Sequence, residues 1–128
     1  LKVRVYPNEC VKRVIAFVPR QHLHLRLIIE LCDQTIVLHE ATVAAIVRAF
    51  ANIVLHPTRR AIELKHTELR RQERKPMYAK HQLIEIDRHE IEILEEAEKI
   101  INEGIIACNG CAEPTDAESD DDAPRMRR

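Results

Sequence analysis

Apolar and polar residues follow one another along this chain in patterns that mark most of its elements. Lys2 to Tyr6 alternates, with Val3 and Val5 on one side. That pattern predicts a short, half-buried strand closed by Pro7-Asn8. Val11 to Val18 is β-branched and almost wholly apolar after Arg13, as in a strand partly covered on both faces. From His22 to Leu31, Leu23, Leu25, Leu27, Ile29 and Leu31 share one face of a strand. His22, His24, Arg26, Ile28 and Glu30 share the other. Asp33-Gln34 predicts a tight hairpin into a strand at 35–39, which sets Leu31 opposite Ile36 and Ile29 opposite Leu38. These three strands form an antiparallel meander.

A helix is predicted over 41–55, ended by His56-Pro57, with Val43, Ile46, Val47, Phe50 and Ile53 as its core stripe. Ala44, Ala45, Ala49, Ala51 and Leu55 leave its other faces apolar as well, so it needs cover on two sides. In so small a domain the second cover points to another copy of the chain. Ala44, Ala45, Ala49 and Leu55 are then the expected surface of a homo-oligomer. Residues 59–65 read as a strand, followed by a polar helical or irregular segment up to Pro76, and 80–86 reads as an edge strand. Asp87 and Glu90 are spaced as a capping box for a last helix carrying Ile91, Leu94 and Ile101. Gly104 stands where a left-handed cap is expected. The resulting expectation is an α+β domain over 1–106, an antiparallel sheet (three-stranded meander plus edge strands) covered by two helices. From 107 to 128, acidic residues and prolines predict a disordered acidic C-terminal tail containing a CxxC.

Composition narrows the function classes. The chain has 128 residues, 45% hydrophobic and 32% charged, which suits one domain. Its apolar runs are too short to cross a bilayer, and no signal-peptide pattern opens it, so the expected location is cytoplasmic. Only Gly104 and Gly110 are glycines, so neither a Walker loop nor a dinucleotide fingerprint can be written. Ser119 is the only serine and lies among acids, unlike the nucleophile of a hydrolase. These exclusions lean away from an enzyme. High charge with little serine is also a thermophile-like balance.

Charge is segregated beneath a net of −1. Residues 1–84 hold 15 Lys or Arg against 7 Asp or Glu, whereas residues 85–128 hold 5 against 14. Within 56–81, Arg59, Arg60, Arg70, Arg71, Arg74 and Lys75 are the candidate contacts to nucleic acid, neutralising phosphates without reading bases. The competing view is a solvated face paired to the acidic last helix. With Tyr6, Phe17, Phe50 and Tyr78 as the only aromatics, a stacking platform finds little support.

Metal chemistry offers two further candidates. His22, His24 and His39 fall on one predicted sheet face, where three imidazoles with an open position suit zinc in a metal-dependent enzyme. The plainer reading is a polar, solvent-facing strand. Cys108-Asn-Gly-Cys111 has the spacing of a metal knuckle, a redox pair or a local disulfide. It follows a helix, whereas a redox CxxC usually opens one. Only Cys10 and Cys32, singly placed and far away in sequence, remain to complete a four-thiolate site.

Overall fold

Three small sheets and two helices organise the chain, whose computed structural model describes residues 2–73 and 75–107. In order the elements are β1 (Arg4–Val5), β2 (Val11–Phe17), β3 (Arg26–Leu31), β4 (Thr35–His39) and α1 (Glu40–Val54). They continue with β5 (Leu64–Glu68), β6 (His81–Glu85), α2 (Glu90–Asn102) and β7 (Ile105–Ile106). The fold is α+β, with a three-stranded antiparallel meander β2-β3-β4 as its largest sheet. β5 and β6 form an antiparallel hairpin, and β1 and β7 a short parallel pair. The acidic tail lies outside the described residues.

Several expectations are corrected. β3 begins at Arg26, so residues 22–25 precede the strand; the chain turns there through a His22 amide bond to the Pro19 carbonyl, with Gln21 at φ 67°. Ile29, not Leu31, pairs with Ile36, and Leu27 with Leu38. That register differs from the expected one by two residues. A shift of two leaves every side chain on its predicted face, so the apolar alternation could not tell the two apart. β2 is mostly exposed, not covered on both faces. The second hairpin starts at Leu64, and 59–63 is irregular.

Both helices start differently from their sequence signals. α2 opens at Glu90, with His89 as N-cap and no side-chain cap. Instead of closing a capping box, the Glu90 carboxylate accepts the Arg60 and Ala61 amides at 2.5 and 3.0 Å. This bond ties the irregular approach to β5 onto the helix start. Arg88 adds ion pairs to Glu63 and Glu96, both at 2.7 Å. Gly104 does not adopt a left-handed backbone. It is required for space: a Cβ there would stand 2.8 Å from Val5 Cγ2 and 3.1 Å from the Ile101 carbonyl oxygen. That close approach lets β7 reach β1, where the Ile105 and Ala107 amides donate to the Val3 and Val5 carbonyls at 2.8 Å.

The core is thin. Among the described residues only Cys10, Leu31, Ala45 and Ala107 are buried. α1 lies against β6, β4 and β3, whereas α2 buries none of its residues.

Candidate functional site

The β5–β6 hairpin divides the basic segment between its two ends. Arg59 and Arg60 precede β5, while Arg70, Arg71 and Lys75 sit on the connection between β5 and β6. The five-residue strand between them spans about 17 Å. At the base, Arg59 is ion-paired with Glu85, and Arg60 contributes its amide to Glu90. A shallow hollow of about 350 Å³ opens there, lined by His56, Arg59, Glu85, Arg88 and Glu90 among others. The amides of Arg60 and Ala61 hold the Glu90 carboxyl below its ordinary pKa, so it stays ionised and is a poor proton donor.

At the tip the cations are more open. Arg70 pairs locally with Glu73 at 3.4 Å, and Lys80 with Glu68 at 2.8 Å. Arg71 and Lys75 enter no ion pair among the described residues. They line a hollow with Pro76, Met77 and Tyr78. The Lys75 ammonium lies 6.0 Å from the Tyr78 ring centroid, at the outer limit of a cation–π contact. Tyr78 and Met77 are both exposed. The Tyr78 amide closes the turn onto the Lys75 carbonyl at 3.1 Å, with Pro76 and Met77 between them. Met77 takes φ 72° there, a left-handed backbone position that favours glycine. Tyr78 is the residue that the sequence reading passed over at this site; its signal was its place next to a Lys-Pro turn. Arg74 lies outside the described residues.

The apolar surface of α1 is the reverse of the expected one. Ala45 is buried within its own chain, and Ala44 and Ala49 are half-buried, so these three are not an outward surface. Small side chains let the helix approach the sheets closely. Ile46, Val47, Phe50 and Val54 face outward instead, continued by Leu55, with exposures from 50% to 74%. Of the four residues expected at the surface between copies, only Leu55 is on the open side.

The three histidines do not assemble. His22 is outside β3, and His24 Nδ1 lies 3.2 Å from Glu40 Oε2. His39, opposite Arg26, is the N-cap residue of α1. No group of three or more His, Cys, Asp or Glu able to hold a metal occurs among the described residues. A different pair does meet: His66 and His81 stack across the hairpin with ring centroids 5.1 Å apart and share a 2.9 Å hydrogen bond. Among the described residues no helix is long and apolar enough to cross a membrane. Comparison with protein-family models, curated proteins and solved structures found no match to this chain.

Proposed function

We propose that this chain is a non-enzymatic, self-associating protein whose copies meet on the outer face of α1, as a scaffold or a subunit of a larger assembly. The observation that carries this reading is the exposed stripe of Ile46, Val47, Phe50, Val54 and Leu55. A contiguous run of large apolar side chains is costly to leave in water and marks an interaction surface. Arg48 is the only charged residue of the sequence between Ile46 and Leu55. A second copy brings the same stripe, and a two-fold axis lets the stripe cover itself along a helix about 22 Å long. The few buried side chains among the described residues argue in the same direction, because they leave apolar surface that association can remove from water.

Native mass tests the reading. The parent protein is expected to form a defined oligomer, and Phe50→Glu or Val47→Glu to yield folded monomers. These side chains are already open in the single chain, so their replacement leaves its own packing intact. A monomeric parent, or variants of unchanged mass, would overturn the proposal.

A second reading is favoured by the hairpin tip, where Arg71 and Lys75 line one hollow with an exposed Tyr78 and Arg70 lines another with Arg71 and Lys80. In that reading the tip contacts the phosphate backbone of nucleic acid, with Tyr78 against a base. Arg59 and Arg60 play a smaller part, being at the far end, where Arg59 is paired with Glu85. Reversing Arg70, Arg71 and Lys75 to Glu is expected to abolish binding. Conversion of the three to Gln should flatten the salt dependence by roughly 2–3 in log–log slope. Unaltered affinity in both sets removes nucleic acid from consideration.

A further inference from the structure

His66 and His81 bring two imidazole nitrogens together on one face of the β5–β6 hairpin. The Leu69 amide donates to the Lys80 carbonyl at 2.8 Å, and the Ile86 amide to the Glu63 carbonyl at 3.1 Å. With those positions hydrogen-bonded, alternation makes Glu68–His81 and His66–Leu83 non-hydrogen-bonded pairs, whose side chains stand closest. All four side chains fall on the same face. Leu64 and Leu83 line a hollow there with Ala49 and Asn52 of α1. His66, Glu68 and His81 lie further toward the tip and are exposed. His66 Nε2 and His81 Nδ1 are 2.9 Å apart, with the ring planes inclined by 15°. One imidazole donates and the other accepts, so both nitrogens are aimed at one point between the strands.

We propose that His66 and His81 form a two-imidazole clamp for a divalent cation of tetragonal preference, nickel(II) or copper(II). Metal–imidazole bonds of about 2.0–2.1 Å to nitrogens this far apart subtend about 90° at the ion. That is the cis angle of a square-planar or octahedral ion, whereas a tetrahedral ion needs its nitrogens about 3.3 Å apart. Imidazole nitrogen is a favoured ligand of both cations. For both rings to ligate as neutral imidazoles, the donor passes its proton through solvent to its other nitrogen, with no net release. Lys80 holds the Glu68 carboxylate at 2.8 Å, so Glu68 adds negative charge opposite His81 without serving as a third ligand. Water fills the remaining positions, in keeping with the absence of any three-residue metal group among the described residues. Because both rings are exposed, the ion enters without opening the fold, and once bound it braces β5 against β6. The clamp does not involve the outer face of α1, so its failure leaves the self-association reading untouched.

Nickel(II) alone, titrated into the full chain, tests the clamp. Uptake is expected to saturate, to raise the unfolding temperature, and to broaden the ring-proton resonances of His66 and His81 before those of the other histidines. Joining two binding groups gains at least about 100-fold over either one, so His66→Ala and His81→Ala should each weaken uptake by that factor. His89→Ala, on a separate element, should leave it unchanged. Both clamp residues are exposed, so the variants should fold, as circular dichroism would show. His66→Gln and His81→Gln, which stay polar but carry no imidazole, should bind as weakly as the alanine variants. Any of four results would overturn the proposal: no saturable uptake, undiminished affinity in both alanine variants, thiolate-to-nickel absorption in place of the histidine broadening, or the spectrum of tetrahedral nickel.

Discussion

At the residue scale, Gly104 shows how a correct position can have a different cause from the one its sequence suggests. A glycine after a helix signals a left-handed cap, yet here the backbone is ordinary and the demand is for space against Val5 and Val3. Val5 is β-branched and stiff, so it cannot swing aside cheaply. Gly104→Ala is therefore expected to destabilise by about 1–3 kcal/mol, the range for overpacking a filled site. Chemical denaturation would measure it, and an unchanged midpoint would show that β1 yields freely. Asp33 is a second such residue. It receives the Tyr6 hydroxyl at 2.9 Å and pairs with Arg4, so it holds β1 to the turn after β3. Neither partner of Asp33 is recognisable in sequence, because each contact joins residues almost thirty positions apart.

At the element scale, both helices are anchored at their first residue by a carboxylate that reaches another segment. Glu40 accepts the Leu25 amide at 2.6 Å and lies beside His24, and Glu90 accepts those of Arg60 and Ala61. Backbone hydrogen bonds are the leading cause that lowers both pKa values from their ordinary range. A carboxylate with a folded pKa below its unfolded value contributes stability above the unfolded value and loses it as pH falls through the folded one. Thermal stability should thus hold from neutrality to about pH 5 and decline below about pH 4. Glu90→Gln should be less stable than the parent at neutral pH and converge with it in acid. A deficit that is constant across pH would assign Glu90 a role other than its charge. The extents of these elements were legible in sequence. β4 lies where the alternation places it, and α1 is displaced by one residue at each end from the prediction. Its orientation was not legible. A helix apolar nearly all round offers no polar face to mark the outside, and only contact with β3, β4 and β6 selects the alanine side for burial.

At the scale of the whole molecule, few of the described residues are buried and many large ones are open, on α1, on α2 at Ile91 and Ile101, and on β7. If copies associate through α1, unfolding must also separate them, so the unfolding temperature should rise with protein concentration. Phe50→Glu should remove that dependence; a parent whose transition is the same at every concentration would speak against association. The charge split read from sequence is real in composition but is not one surface. The hairpin parts the cations, and carboxylates from β6 and from within the loop take up Arg59 and Arg70. Sequence by itself determined the α+β class, the meander and the helix spans, because alternation and helical spacing are local properties of consecutive residues. Tertiary structure alone decided the strand register, the outward side of α1, and the meeting of His66 with His81. Those depend on which distant segments pack together, and a periodic pattern of apolar residues is satisfied equally by several such partners.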